Sequence, residues 1–432
     1  MSPLTLGLGG FGLLLALIAF GVPVAWSITI VAFAGMTLLI GFEQAMAQFY
    51  TTAFNTSGEF LFAAVPLFIF MGQIFASARI GEDLYDVMHK WFGRLPGGLA
   101  VTSVACCTAF GAVTGVSSAA VGTMARITMP EMRRYGYDLK LATGSLASAA
   151  TIAIMIPPSL LLILYGLWTE TSIGKLFIAG IIPGLLTTLV FSLYIMLRCT
   201  LNPAMGPRGP RYGWGPRFAS LLKLAPIVVI FVVVIGGMYG GHFTPGEAAA
   251  VGAVSTVVVA ALMRRLTLAA ILEAGRQTIA LSAMIFAILI AASVLSRFFV
   301  ATQVTTRVID AIAASGLQGW VILALLLALL IVLGCVLDAF GMILLTLPFI
   351  FPVVIGLGYD PIWFGIILVF IVEIALVTPP IGINVYVLAK TETDVPLRDI
   401  FAGVMPFVLL ALMIVVFLVA FPEVVMWLPN RM

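Results

Sequence analysis

Charge is what this sequence has least of: 21 Lys and Arg and 18 Asp and Glu in 432 residues, or 9%. So little polar surface cannot cover a water-soluble globule of that length, and with 62% hydrophobic residues and a mean hydropathy of +1.21 the chain reads as a polytopic membrane protein. The net charge of +3 is small and dispersed, without a basic patch, which excludes a nucleic-acid footprint. Histidine is nearly absent. His89 and His242 fall in interfacial or loop segments and are assigned no chemistry. The four cysteines, Cys106, Cys107, Cys199 and Cys335, lack metal-ligand spacing and lie in or beside apolar segments, where they read as packing residues. No phosphate loop and no H-E-x-x-H occurs, and "GVSSA" is not a G-x-S-x-G elbow, so enzyme readings have no motif to stand on. An intramembrane serine hydrolase built on Ser117 would need a histidine at depth, and neither histidine is placed there. The start "MSPLTLGLGGFG" has no basic region and its apolar run outlasts a signal peptide, so it reads as a first span.

Long apolar runs are abundant. A spanning helix needs about 20 residues, which predicts ten spans, near 4–21, 24–41, 60–78, 141–167, 174–197, 223–240, 246–263, 278–297, 361–389 and 400–426. Amphipathic pieces such as 79–95 are expected to lie flat at the interface. Two stretches, 97–129 and 317–352, are too long for one crossing and too short for two. Their centres are "GAVTGVSS" and "GCVLDAFG", and each reads as a re-entrant helical hairpin. Charge supports that layout. With the N-terminus outside, 17 of the 21 Lys and Arg fall on the cytoplasmic side, leaving only Lys175, Arg297, Arg307 and Arg431 outside.

The chain is also duplicated. The proline pair at 157–158 recurs at 379–380 and "TET" at 169–171 recurs at 391–393, an offset of 222 in both cases. Pro23 pairs with Pro245, Pro130 with Pro352 and "YGYD" at 135–138 with "LGYD" at 357–360 at the same offset, while "AGIIP" pairs with "AGVMP" at one residue more. Each copy holds five spans and one hairpin. An odd number of crossings starts the second copy on the opposite side, so the expected fold is all-α with two inverted repeats, 1–198 and 223–432, joined by a cytoplasmic linker at 199–222.

Such repeats with paired interrupted segments point to a secondary transporter whose site lies at mid-membrane, between the broken helices 141–167 and 361–389 and the hairpin tips. Proline pairs free carbonyl oxygens, and the tips add hydroxyls and further carbonyls. Those neutral oxygens suit sodium. The first expected sodium site comprises Gly111, Thr114, Gly115, Ser117 and Ser118 with Thr151, Pro157 and Ser159. The second comprises Gly334 and Asp338 with Thr378, Pro380, Gly382 and Asn384. The plainer alternative is that these residues kink helices and help them pack.

The segments "VPVAWSITIVAF", "GAVTGVSSAAVGTMARITMPEMRRYGYD", "IPPS", "TPGEAAAVGAV", "GYDPIWFGI" and "TPPIGINVYVLA" together resemble the large membrane subunit of a tripartite ATP-independent periplasmic (TRAP) transporter, over essentially the whole chain. The resemblance implies sodium-driven uptake of an organic acid (a dicarboxylate, sialic acid or another sugar or keto acid) by an elevator mechanism in the bacterial inner membrane, with a periplasmic N-terminus. It also implies two separate partner chains, a small four-helix membrane subunit and a periplasmic substrate-binding protein. Sodium acts as the coupling ion and no other cofactor is expected. A stand-alone sodium-coupled carboxylate symporter of similar architecture is the alternative.

Isolated charges carry paired readings. Asp338 serves the second cation site or is a buried structural carboxylate. Arg126 meets a substrate carboxylate, with Ser118 nearby, or only sets topology. Glu373 reads as a hydrogen-bonded structural acid in preference to an ion ligand, and Glu247, after "TPG", as a helix-start acid.

Overall fold

In hydrocarbon every backbone N–H and C=O must be satisfied within the chain, and helices do this segment by segment. The computed structural model describes residues 2–314 and 316–432, and among these the regular elements are helical. The first half runs α1 Pro3–Ala19, α2 Val24–Ile40, α3 Phe42–Gly58, α4 Ala64–Ser77, α5 Ile80–Phe92, α6 Gly98–Thr114, α7 Ser117–Arg134, α8 Leu139–Met155, α9 Leu160–Thr169 and α10 Ile173–Leu201. The second runs α11 Trp214–Leu221, α12 Ala225–Phe231, α13 Gly237–Tyr239, α14 Pro245–Leu262, α15 Leu268–Ala301, α16 Val304–Ala314, α17 Gly319–Gly334, α18 Ala339–Gly356, α19 Pro361–Ala375, α20 Ile383–Thr391, α21 Leu397–Ala420 and α22 Pro422–Met426. One π-type stretch, Val232–Gly236, joins α12 to α13.

Seven helices are long and apolar enough to cross a membrane by length and composition, eight if α8 and α9 count as one bent span. The sequence predicted ten. The difference has physical causes: α1 and α2 stop at 17 residues, and α19 and α20 are separated by a break too long to read as one helix. One of the seven, α18, is an arm of the second predicted hairpin. The span predicted at 278–297 extends to 34 residues in α15, whereas its counterpart in the first half is divided at Gly58 into α3 and α4. Many hydroxyls within the apolar helices are neutralised locally. Thr102, Ser103, Thr108, Thr187, Thr256 and Thr346 each donate to the carbonyl four residues earlier. Leu185, Leu189, Leu193, Leu197 and Leu201 stay exposed along one stripe of α10, a surface that suits lipid.

Helices α1–α4, α14 and α15 pack chiefly on one another, and α6–α10 with α17–α21 form the other packed group. The groups meet where α4 touches α6 and α9, and where α18 touches α2 and α15. Inside the second group α8 crosses α21 at glycine. A Cβ on Gly144 would lie 2.2 Å from the backbone of Gly403, and one on Gly403 would lie 2.0 Å from the carbonyl oxygen of Lys140. That contact is backbone on backbone, the approach that small residues permit in membranes.

Ion pairs sit at the predicted cytoplasmic helix ends. Arg133, closing α7, binds both Glu392 and Asp394 after α20, while Arg265 binds Asp83 and Lys223 binds Asp86 at 2.8 Å. The Arg133 guanidinium holds the Asp394 carboxyl below the usual carboxylate range. Burial pushes the His89 imidazole, set between the rings of Tyr85 and Tyr212, below its ordinary value. The connection between the halves is fastened too: Gly97 N–H donates to Gly206 O, Asp138 N–H to Met205 O, Gly209 N–H to Gly93 O and the Tyr137 hydroxyl to Pro207 O.

Replacing Gly144 by Val drives α8 and α21 apart and is expected to cost about 1–3 kcal/mol by overpacking. Thermal unfolding in detergent should show a lowered midpoint for this variant, and little change for Gly9→Ala, whose added Cβ meets open space.

Candidate functional site

The interior irregularities come in two pairs, each a tight helix-to-helix turn beside a double-proline break. In the first, α6 ends at Thr114, Gly115 takes a left-handed φ of +60° that L side chains rarely adopt, and α7 begins at Ser117. The facing break, Ile156 to Ser159, separates α8 from α9 with a 41° bend and a cis bond between Pro157 and Pro158. Ser159 restarts the helix by accepting from Leu162 N–H at 3.3 Å. The turn seats directly on the break: a Cβ on Gly111 would lie 2.2 Å from Ala153 Cα, and one on Gly115 would lie 2.6 Å from Pro158 O. Gly111, Thr114, Gly115, Ser117, Thr151, Pro157 and Ser159 are all buried around this contact. The hydroxyls of Thr114 and Thr151 donate to Phe110 O and Ser148 O, which leaves their lone pairs available. Ser118 turns the other way, onto a cleft.

The second pair is looser. The turn Cys335–Asp338 packs with Gly334 against α19, where a Cβ would lie 2.5 Å from the Ala375 side chain, and the Cys335 thiol donates to Pro379 O at 3.2 Å. Thr378 donates to Ile374 O at 2.7 Å, and Gly382 enters α20 with φ +59°. Unlike the first break, this one leaves Pro380 and Ile381 exposed.

Two residues expected at this second site make other contacts. Asp338 is half-buried and caps α18, accepting from Phe340 N–H at 3.2 Å and Gly341 N–H at 3.3 Å, and among the described residues no hydrogen bond joins it to 378–384. A helix start carries N–H groups without intrahelical partners, and a carboxylate beside them meets that need first. Asn384 faces the first turn, its Oδ1 3.5 Å from the Ser117 hydroxyl. The two expected sodium sites therefore touch through Ser117 and Asn384, a contact between halves that offsets along the chain cannot show. Glu373 is completely buried, and its carboxylate faces the Ser117 hydroxyl. Glu247 does what its position suggested, closing a capping box with Thr244.

A cavity of about 420 Å³ opens beside the first turn. Thr114, Ser118, Thr123 and Arg126 line one wall, and Gln73 of α4 and Gln277 of α15 line the other. A second space of about 730 Å³ shares Gln73, Arg126 and Gln277 and continues to Arg79, Glu82 and Glu273. The Arg126 guanidinium donates through Nε to Gly122 O at 3.1 Å, and among the described residues it has no acidic partner. Arg126 and Ser118, the two residues expected to meet substrate, thus share this wall. Sequence reasoning missed Gln73 and Gln277. Each is an amide on an apolar helix, a signal that could have marked both.

Residues 11–424 match the family described as the tripartite ATP-independent periplasmic transporter, DctM component. The chain is 34% identical to the C4-dicarboxylate TRAP transporter large permease protein DctM of Pseudomonas aeruginosa, over 91% of this chain and 92% of that one. It is 31% identical to the ectoine/5-hydroxyectoine TRAP transporter large permease protein UehC of Ruegeria pomeroyi, over 96% and 97%. Among solved structures, the Alcanivorax borkumensis YdaH transporter superposes with a TM-score of 0.52 at 14% identity, covering 88% of this chain and 90% of that one, which shows a shared fold. A multi-pass helical chain with two proline-broken helices, two tight inner turns and a polar cleft between its helix groups therefore belongs to the large-permease (DctM) family of tripartite ATP-independent periplasmic transporters.

Proposed function

We propose that this chain is the large transmembrane subunit of a sodium-coupled importer in the bacterial inner membrane, moving an organic acid handed over by a periplasmic binding protein and working beside a small four-helix membrane subunit. The observation that carries the reading is the meeting of the Gly115 turn with the Pro158 carbonyl at the head of a cleft walled by Arg126 and Ser118. Carbonyl and hydroxyl oxygens at that turn suit a desolvated alkali ion, and a guanidinium without an acidic partner suits a carboxylate. The first sodium position uses the oxygens around Gly111, Thr114, Gly115, Thr151, Pro157 and Ser159. The second uses the carbonyls beside Gly334, Thr378, Pro380 and Gly382, with Asp338 steadying the turn by capping α18.

In this reading the halves are inverted repeats, as five crossings plus one re-entrant hairpin in each require. Helices α1–α4 with α12–α15 form the scaffold, and the hairpins with the broken helices form the sliding body of an elevator. With the N-terminus periplasmic, the cleft opens past Arg79, Glu82 and Glu273 toward the side rich in Lys and Arg, so this arrangement faces the cytoplasm. The relatives named for a C4-dicarboxylate and for ectoine carry different cargo on one chemistry, because both ligands present a carboxylate. That common group is the one assigned to Arg126.

Reconstitution tests the whole reading. Uptake into vesicles should need a sodium gradient, the small subunit and the binding protein together, and concentration of an organic acid by this chain alone would end the tripartite assignment. Arg126→Gln should raise the KM for the acid about tenfold or more, the value of one charge-assisted contact, with little change in maximal rate. An unaltered KM would remove Arg126 from the substrate path. Gly115→Ala needs a left-handed backbone and places a Cβ against Pro158 O, so sodium-dependent uptake should fall at least about tenfold while membrane insertion stays normal.

A further inference from the structure

Helix α11 is short, and its outward face is apolar. Trp214, Phe218, Leu221 and Leu222 lie exposed along it at the i, i+4, i+7 and i+8 spacing of one helical stripe, Trp214 at 66% and Leu222 at 78%. Val228, Val229 and Val232, exposed as well, carry the stripe along α12 into the π-type stretch. The whole run from Trp214 to Tyr239, 26 residues, is apolar enough to cross a membrane. A helix of that length reaches about 39 Å, about 9 Å more than the hydrocarbon core. Its tryptophan-bearing end therefore stands at headgroup level, where tryptophan collects.

Unpaired cations gather near that end. Arg208 and Arg211 precede α11, and Arg94 follows Gly93, whose carbonyl accepts from Gly209 N–H at 2.8 Å and so brings the two segments side by side. All three guanidiniums are exposed, and among the described residues none has an acidic partner. The neighbouring acids are already engaged: Asp86 by Lys90 and Lys223, Glu131 by Arg134 at 3.7 Å, and Asp138 by the start of α8. Arg217 lies 5.3 Å from the centroid of the Trp214 ring and donates through Nε to Lys90 O at 3.0 Å, while Phe218 meets Trp91 edge to face. These contacts hold α11 on α5 with its apolar stripe outward.

We propose that α11 with Arg94, Arg208 and Arg211 is a docking surface for anionic phospholipid headgroups of the leaflet it borders. The aromatic stripe enters the acyl boundary, and the guanidiniums engage the phosphates and their net negative charge. Two observations choose this occupant: the stripe is continuous with the lipid-facing surface of α12, and the cations beside it lack acids of their own. A zwitterionic headgroup carries a compensating cation and satisfies the guanidiniums less well. Because α11 packs on α5, and α5 on both arms of the first hairpin, α6 and α7, bound lipid ties the foot of that hairpin to the membrane surface. The inference needs neither the sodium nor the substrate assignment.

The test titrates the full chain in detergent with phosphatidylglycerol or phosphatidylcholine of the same acyl chains and counts bound lipids by native mass spectrometry. Phosphatidylglycerol should bind at least about tenfold more tightly than phosphatidylcholine. Replacing both Arg208 and Arg211 by Gln, at exposed positions where folding is not at stake, should weaken phosphatidylglycerol binding about tenfold or more and leave phosphatidylcholine binding nearly unchanged, as the loss of two cations near an anionic surface requires. Trp214→Ala should weaken both lipids by a similar factor, since the stripe meets acyl chains common to the two. Arg307→Gln, which removes an exposed guanidinium from α16, serves as the control and should change neither. Equal affinity for the two lipids, wild-type binding by the double variant, or an equal loss in Arg307→Gln would overturn the proposal. So would displacement of the lipid by inorganic phosphate at matched concentration, which would mark a plain anion site in place of a lipid surface.

Discussion

Lipid offers no hydrogen bonds, so a chain that interrupts its helices at membrane depth must cover each interruption with protein or open it to a polar cavity. This requirement organises the molecule. The break at Ile156–Ser159 is tolerable because the Gly115 turn lies on it, and the turn is tolerable because a glycine admits both its backbone conformation and its closeness to Pro158. The Arg126 cleft is a polar route to that contact. Packing and access thus follow from one need, that of carbonyl groups released by proline.

Much of this was readable from residues in order. Apolar runs marked most crossings, the small polar centres "GAVTGVSS" and "GCVLDAFG" marked both turns, and the recurring proline pairs marked both breaks. The amphipathic piece at 79–95 became α5, and the predicted ends of the broken helices fall close to the observed ones. What escaped lies where sequence distance says nothing about spatial distance. Asn384 was grouped with its own half and lies against Ser117; Asp338, read either as an ion ligand or as a structural carboxylate, caps the start of α18. Helix α3 was left unassigned for a different reason: its stretch, Phe42–Gly58, mixes polar and apolar residues and offers no long apolar run, although its counterpart lies within the continuous α15.

Charge shows the same economy. The strongest ion pairs lie at helix ends, in segments outside the apolar runs, where water lowers the cost of stray charge and salt bridges serve chiefly to fix geometry. Arg133 joins the end of α7 to the start of α21 through two acids of the other half, so the halves are bound by ions at the rim and by glycine contacts within.

The connection between the halves carries a consequence of its own. Residues 205–209 are stitched by backbone hydrogen bonds across the bases of α6 and α8, so this segment is a girdle and not a slack tether. Lengthening or severing the chain there would loosen the foot of the first hairpin, whereas the same edit in an unanchored surface loop would be nearly silent. A gene encoding the two halves as separate polypeptides would therefore need to keep this girdle whole on the N-terminal piece.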